Sequence, residues 1–346
     1  MSIGRRIKQA RSLRSRSQRA LADAISVGAS TISAYENGQK APDSAQLIEI
    51  ADALGLDLSF FLRGPRVKSV EPVYRKFASL KKRDQEALHA RIHDWIERYL
   101  EIEEIVGVSS EFEWPNGFPR AVQSMNEVEA AALALRDAWD IGHDPIEHLT
   151  GRLEDLPLHI AALSTPDDFD ACAFEVRVNG GLPAIVFNAD RPGDRQRFSI
   201  AHELGHLALS VDESSELDIE EACDRFAGAF LVPRRSLKNA IGSHRTRIRR
   251  EELDLLKARY GVSMQMLLYR MGDLSLLPED SVTWWFKRIN QHGYRKSEPG
   301  PDVPAEHPQR MERLIQRALA EDLITERRAA QLLDPRSDDT SSPVPA

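Results

Sequence analysis

The chain has 346 residues, of which 42% are hydrophobic and 29% are charged, and its net charge at pH 7 is −8. The composition excludes a disordered chain, and the length indicates two or three domains. The sequence has only two cysteines, no signal peptide and no apolar run of about eighteen residues. These features argue against a secreted protein, a protein stabilised by disulfides and a membrane-spanning protein. We therefore expect a cytoplasmic protein with no membrane association.

The first 68 residues differ in charge from the rest. They hold eleven Lys or Arg against six Asp or Glu, a net charge of +5, so the remainder carries about −13. A basic module on an acidic body indicates a polyanionic partner, most simply DNA.

Residues 1–68 also have the pattern of a helix-turn-helix domain. Helices are predicted over residues 3–13, 17–25, 30–36 and 42–54. Ser17 caps the second predicted helix, and Asn37-Gly38 closes the third. Two short helices joined by a tight turn are typical of DNA-binding proteins, although a four-helix domain that binds another protein is the alternative.

The candidate DNA contacts lie on the second and third predicted helices and just after them. The small polar side chains that would reach base edges are Ser30, Thr31 and Ser33. Gln18 would contact a phosphate or a base. Arg16, Arg19 and Lys40 would hold the DNA backbone.

Residues 73–105 are predicted as one or two long charged helices. Charges of both signs favour a solvated spacer over a dimerising arm. An Ala-rich helix is predicted over 127–140, followed by short strands at 158–160, 171–178 and 182–188, with a hairpin turn at 179–181. The backbone of the strand at 183–188 would align an extended peptide substrate, or the strand would only pack against the helix that follows; the two roles are compatible, because backbone and side chains face different partners.

That helix carries His202, Glu203 and His206 in a His-Glu-x-x-His pattern. Residues four apart share one helix face, so both histidines can bind one zinc ion. Zinc activates water and polarises a carbonyl group, and Glu203 would take the proton of the water as general base.

A catalytic zinc needs a third protein ligand and an open position. The next predicted helix, residues 217–231, places Glu220 and Asp224 on one face. Glu220 is therefore predicted as the third ligand, with Glu221 as the alternative. Asp224 would accept a hydrogen bond from a ligating histidine. Cys223 is interpreted as a small buried apolar residue.

The remaining sequence is predicted to be helical, with clear helices over 251–260 and 263–271. The proline-rich residues 297–308 are predicted to be a linker, residues 310–333 a final amphipathic helix or pair, and residues after 334 disordered.

Two stretches resemble known families. "SQRALADA" and "STISAYENGQKAPD" resemble XRE, or lambda-repressor-like, helix-turn-helix regulators, except that Ser26 stands where a turn glycine is usual and Gly28 where Ser or Thr is usual. "RFSIAHELGHL" and "EEACDRFAGAFLVP" resemble the ImmA/IrrE zinc peptidases. This resemblance implies His202, His206 and Glu220 as zinc ligands, Glu203 as catalytic base, and cleavage of a repressor in a stress or mobile-element response.

Together these patterns predict an α+β, mostly α protein. The predicted domains are a lambda-repressor-like helix-turn-helix domain (1–68), a helical spacer (69–120), a zincin-like metallopeptidase domain with a small sheet (121–275), a helical C-terminal region (276–334) and a disordered tail (335–346).

The predicted function is a DNA-binding regulator with a zinc-dependent endopeptidase domain, Mn²⁺ being an alternative metal. Its expected partners are a palindromic operator, a repressor or antitoxin-like substrate and a second copy of the chain. The alternative is a non-enzymatic transcription factor whose peptidase-like domain senses a signal or dimerises.

Overall fold

The computed structural model describes residues 3–64, 66–67, 69–72, 80–108, 111–177, 181–212, 215–295 and 297–333. The fold is α+β and mostly helical, as predicted, and the described residues form one four-stranded mixed sheet and a separate pair of two-residue strands. The strands are β1 (Ser69–Pro72), β2 (Arg120–Ala121), β3 (His159–Leu163), β4 (Ala171–Arg177), β5 (Gly181–Asn188) and β6 (Leu209–Ser210).

Five helices form the N-terminal domain. They are α1 (Ile3–Leu13), α2 (Gln18–Ala24), α3 (Ala29–Glu36), α4 (Ser44–Leu54) and α5 (Leu58–Leu62). The side chain of Ser17 caps α2, and Gly28 is the N-cap residue of α3. Ser26 adopts a left-handed conformation with φ of 54°, which explains why a glycine is usual at this turn.

The other helices are α6 (Lys82–Val106), α7 (Met125–Ala138), α8 (Leu149–Glu154), α9 (Gly193–Ala208), α10 (Ile219–Leu231), α11 (Arg234–Ile241), α12 (Arg250–Tyr260), α13 (Met264–Asp273), α14 (Glu279–Gln291), α15 (Arg310–Ala320) and α16 (Glu326–Leu333). The predicted helices of this region are present with ends shifted by one or two residues, except that α6 begins at Lys82 and residues 73–79 of the helix predicted over 73–105 lie outside the described residues. The predicted domain boundaries stay predictions.

The strand order of the sheet is β1, β4, β5, β3. β5 pairs antiparallel with β4 and parallel with β3. Its alternate residues enter two cores: Ile185 and Phe187 face the core that contains α7, α9 and α10, whereas Ala184 and Val186 face the core that contains α6 and α15. Burial on both faces explains the nearly continuous apolar sequence of this strand.

The inner position of β5 decides between the two roles considered for residues 183–188. Strands pair with its backbone on both sides, so these residues cannot align a substrate, and that prediction is wrong. β5 packs against α9 instead. The predicted hairpin turn lies mostly outside the described residues, since residues 178–180 are not among them.

α6 is packed rather than solvated, which corrects the spacer prediction. Ile92, Ile96 and Tyr99 are fully buried in the core beneath the sheet. The mixed charges of this helix form ion pairs with other elements: Glu97 pairs with Arg6 of α1, and Glu101 Oε2 lies 3.0 Å from Arg63 Nη1. The N-terminal domain is therefore docked on α6, on the face of the sheet opposite to α9.

The described residues of the connection between α14 and α15, residues 292–295 and 297–309, are here named the strap. It crosses the start of α9 in direct contact, because a Cβ atom placed on Gly193 would lie 2.1 Å from the carbonyl oxygen of Pro304. Glu298 accepts hydrogen bonds from the backbone amides of Met264 and Gln265 (2.8 and 3.2 Å). The prediction that residues 297–308 form a linker is therefore wrong.

A second acidic residue anchors the far end of the strap. Glu306 accepts hydrogen bonds from the backbone amides of Leu149 and Thr150 (3.2 and 2.9 Å) and pairs with the buried Arg197 of α9. After the strap, α15 and α16 return to pack on α6. The predicted disordered tail, residues 335–346, lies outside the described residues.

Candidate metal centre and DNA-binding face

α9 carries both predicted histidines on its buried side. His202 is 7% exposed and His206 is 6% exposed. Their Nε2 atoms lie 3.1 Å apart, so both rings direct the same type of nitrogen at one point. The i, i+4 spacing on a helix accounts for this geometry.

α10 brings the predicted carboxylate to the same point. Glu220 Oε2 lies 3.4 Å from His202 Nε2, and Glu220 Oε1 lies 3.2 Å from His206 Nε2. Asp218 begins α10 and caps it by accepting a hydrogen bond from the Glu221 backbone amide (2.9 Å). The Glu221 side chain is exposed. The distances therefore favour Glu220 over Glu221 as the third ligand.

These separations fit a tetrahedral zinc site. Zinc bonds of about 2.0–2.1 Å to nitrogen and oxygen imply ligand-to-ligand distances of about 3.3 Å in tetrahedral geometry. The three measured separations run from 3.1 to 3.4 Å. Two imidazoles and one carboxylate are also a common donor set for a catalytic zinc with an open fourth position.

Asp224 occupies the predicted supporting position. Its Oδ1 lies 2.7 Å from His202 Nδ1. The carboxylate accepts the Nδ1 proton, and this assignment leaves Nε2 of the same ring free to bind a metal ion. Asp224 follows Glu220 by one helical turn, so one face of α10 supplies both groups.

Cys223 also lies close to the two histidines. One donor atom from each of His202, His206 and Cys223 falls within 4.8 Å of the others. This 4.8 Å limit is looser than the distances of 3.2 and 3.4 Å from the Glu220 oxygens to the histidine nitrogens. A cysteine thiolate is also a ligand typical of structural zinc sites, whereas a carboxylate is common in catalytic ones. Cys223 is fully buried against α9, which agrees with its interpretation as a small apolar residue.

Glu203 is held by the sheet. The backbone amide of Ala173 in β4 donates a hydrogen bond to Glu203 Oε2 (2.8 Å), and Glu203 is 2% exposed. Among the described residues, β1 pairs with β4 from Phe174 onward, so this amide lies beyond the described part of the β1–β4 ladder. No sequence signal identifies Ala173, because its role depends on its backbone.

A close helix contact sets the distance between α9 and α10. A Cβ atom placed on Gly205 would lie 3.3 Å from the Cα, Cβ and Sγ atoms of Cys223. Gly205 lies between the two histidines in sequence, and Cys223 lies between Glu220 and Asp224. The small residue at 205 therefore lets the two helices that carry the candidate ligands approach each other.

The candidate DNA contacts lie on α2, on α3, in the turn after α3 and, for Arg16, in the turn before α2. Arg16, Arg19, Ser30 and Lys40 are exposed, whereas Gln18, Thr31 and Ser33 are partly buried. Gln18 Nε2 donates a hydrogen bond to Glu36 Oε2 (2.7 Å), so a DNA contact by Gln18 would use its amide oxygen. The N-terminal domain docks on α6 through α1, which leaves α2 and α3 accessible.

Two family models match the chain. Residues 7–61 match the model described as helix-turn-helix, and residues 169–271 match the peptidase M78 model described as IrrE N-terminal-like domain. The chain is a fusion of these two domains. No curated protein matches it. The helix-turn-helix match implies DNA binding, and the IrrE-like match implies a protein substrate. The IrrE-like match includes all four candidate site residues: His202, Glu203, His206 and Glu220.

A cleft of about 1240 Å³ opens beside the candidate metal centre of the IrrE-like domain, and both His202 and Glu203 line it. α9 and α10 form one side, and α13 with the strap forms another. The strap lies beyond residue 271, so part of the cleft is built from sequence outside the family match. No helix within the described residues is long and apolar enough to cross a membrane.

Two ion-pair clusters fix the walls of this cleft. Burial disfavours the charge of Lys257, but Glu298 of the strap and Asp194 of α9 outweigh it and raise the lysine pKa. Burial likewise opposes the charge of Asp170, but hydrogen bonds and charges from Arg195 and Arg191 outweigh it and lower the aspartate pKa. Lys257 and Asp170 are therefore charged at neutral pH, and their ion pairs tie the strap and the start of β4 to the first turn of α9 and the residues just before it.

Proposed function

We propose that this chain is a DNA-binding regulator whose IrrE-like domain is a zinc-dependent endopeptidase. The proposed substrate is a repressor or antitoxin-like protein cleaved in a stress or mobile-element response. The observation that supports this most directly is the convergence of His202, His206 and Glu220 at separations of 3.1 to 3.4 Å, with a buried glutamate beside them.

The described residues account for the parts that peptide hydrolysis needs. His202, His206 and Glu220 would hold the zinc ion, which when bound supplies a Lewis acid for the peptide carbonyl and lowers the pKa of water. Glu203 would take the proton from the attacking water, and the Ala173 amide orients its carboxylate for this purpose. The substrate polypeptide would enter the cleft of about 1240 Å³ that His202 and Glu203 line.

The first experiment is elemental analysis of the purified full chain. We expect about one zinc ion per chain in the wild type and its loss in His202→Ala. Wild-type protein that neither holds nor takes up zinc or manganese would overturn the proposal. Glu220→Ala and Glu221→Ala form a matched pair: the first should weaken metal binding and the second should not.

Catalysis needs a separate test, because a metal site can be purely structural. Glu203→Gln should keep the metal and lose cleavage, since an amide cannot accept the proton of water. Cleavage is measured with a library of quenched fluorescent peptides and with a helix-turn-helix repressor protein as substrates. A Glu203→Gln variant that retains full activity would exclude Glu203 as the base.

The proximity of Cys223 to the histidines favours a second candidate function. A site of two histidines and a cysteine would hold a structural zinc, and the domain would then act as a sensing or dimerisation module of a non-enzymatic transcription factor. In that case Cys223→Ala would release the metal, and Glu220→Ala would not.

DNA binding by the N-terminal domain is tested by fluorescence anisotropy with duplexes from the upstream region of the gene. Arg19→Ala and Lys40→Ala should weaken binding to all duplexes and reduce its dependence on salt. Ser30→Ala should change the preference among sequences instead. Equal affinity for upstream and unrelated duplexes would argue against repression of the chain's own promoter, and a palindromic site would support binding as a dimer.

A further inference from the structure

One region of the cleft is lined by large apolar side chains. Phe198 lies one helical turn before His202, and the centroids of their two rings are 6.3 Å apart. Met266 and Tyr269 of α13 and Tyr294 of the strap line the same cleft. These four residues are here named the aromatic wall. Phe198 lies next to the candidate metal centre, Tyr294 lies on the strap, and all four residues line the same cleft.

Tyr269 is the most informative member of the aromatic wall. Its side chain is 62% exposed although its ring packs on Phe286 with a centroid distance of 4.5 Å. The exposed face of such a ring is buried when a ligand side chain covers it, and this burial of apolar surface favours binding. The neighbouring Met266 is flexible and polarisable, so it can adapt to side chains of different shape.

Tyr294 is held in place by the surrounding structure. Its backbone amide donates a hydrogen bond to the Ile289 carbonyl (2.9 Å), and its ring stacks on His292 with a centroid distance of 5.2 Å. Glu298, four residues later, anchors the strap to α13 and to Lys257. The aromatic wall is therefore preformed, which reduces the entropy lost on binding.

We propose that the aromatic wall is a specificity pocket for a large apolar or aromatic side chain of the substrate peptide, next to the bond that is cleaved. This inference rests on the proposed peptidase function and adds the class of residue that the cleft selects. Met266, Tyr269 and Phe198 belong to the matched domain, whereas Tyr294 lies outside it. The strap therefore gives this chain a selectivity that the matched domain does not carry by itself.

The test compares cleavage of peptides that carry Phe, Leu, Ala or Asp at a single varied position. The wild type should prefer Phe and Leu. Tyr269→Ala should lower kcat/KM for the Phe peptide by about tenfold or more, with a much smaller effect on the Ala peptide. Tyr269→Phe keeps the ring and should restore the preference.

Trp284→Ala is the matched control, because Trp284 is also an exposed aromatic residue (54%) but is not among the described residues that line the cleft. This variant should keep the wild-type profile. An unchanged profile in Tyr269→Ala, or an equal loss for every peptide, would overturn the pocket. Tyr269 is more than half exposed, so its replacement is not expected to prevent folding.

A binding readout separates failure of the pocket from failure of the peptidase. Fluorescence anisotropy measures binding of the Phe and Ala peptides to metal-loaded Glu203→Gln, with and without Tyr269→Ala. Tighter binding of the Phe peptide that disappears with Tyr269→Ala supports the pocket even if the wild type cleaves nothing, in which case only the proposed function fails. Equal binding of the two peptides to the Glu203→Gln protein would refute the pocket.

Discussion

Replacement of Gly205 by alanine tests whether the α9–α10 contact positions the metal ligands. The new Cβ atom would lie 3.3 Å from three atoms of Cys223, one of which is a backbone atom. Carbon atoms in ordinary contact are about 3.5–4.0 Å apart, so α10 must move away by about a few tenths of an ångström. Glu220 and Asp224 lie on α10 and would move with it.

Two opposing effects determine the stability of Gly205→Ala. Overpacking in a well-packed core costs about 1–3 kcal/mol. Alanine is better than glycine in a helix interior by about 1 kcal/mol, which offsets part of this cost. We therefore expect a net loss of about 0–2 kcal/mol in the free energy of unfolding. Metal affinity should fall more clearly, by about tenfold or more, as it does when the groups that orient metal ligands are displaced.

Denaturant unfolding measures the change in stability, and zinc titration against a chromophoric chelator measures the change in metal affinity. Gly228→Ala is a matched control on α10, since its Cβ would meet only the Arg270 side chain at an ordinary 3.5 Å. This control should leave metal affinity unchanged. If Gly205→Ala binds zinc as tightly as the wild type, the helix contact does not set the ligand positions and the reasoning is wrong.

Three further predictions concern charged residues. Asp224→Asn should weaken metal binding by about 10- to 100-fold, because it alters the group that orients His202. Glu129→Gln should lose about 3 kcal/mol of stability at neutral pH, because the buried Arg270 loses its counter-charge and the partly buried Arg225 keeps only Asp273. Burial opposes the charge of Glu129, but these arginines outweigh it and lower its pKa, so the loss should shrink below about pH 4.3. Glu97→Ala should loosen the docked N-terminal domain by leaving Arg6 without its carboxylate.

Each of these predictions has its own check. Chelator competition measures Asp224→Asn, and wild-type affinity would contradict the role of Asp224. Denaturation between pH 3 and 7 follows Glu129→Gln, and a stability difference that grows toward low pH would have the wrong sign. Hydrogen exchange of the α1 amides measures Glu97→Ala against Glu104→Ala, whose carboxylate is 71% exposed and pairs only at the surface. Equal exchange in these two variants would refute the prediction.

Local sequence signals located much of the fold and the geometry of the candidate site. Ser17 marks the start of α2, and Asn37-Gly38 marks the end of α3. The spacing of His202 and His206 placed both rings at one point because helical periodicity is a local property. The same periodicity put Glu220 and Asp224 on one face of α10.

The features that the sequence did not reveal depend on contacts between distant residues. The charges of α6 resemble those of a solvated helix, but Glu97 and Glu101 pair with arginines from other parts of the chain. The prolines of the strap indicate an extended segment without showing that Glu298 and Glu306 anchor it. Ala173 acts through its backbone amide, so its side chain gives no signal.

The position of the N-terminal domain has a consequence for how the two halves can work together. This domain rests on α6, whereas the cleft opens on the side of the sheet that carries α9, and no described residue of helices α1–α6 lines the cleft. A molecule seated on an operator would therefore keep its cleft open to solvent. Under the proposed function, proteolysis would then not require release from DNA, and a target protein bound nearby on the same DNA would meet the cleft at high local concentration.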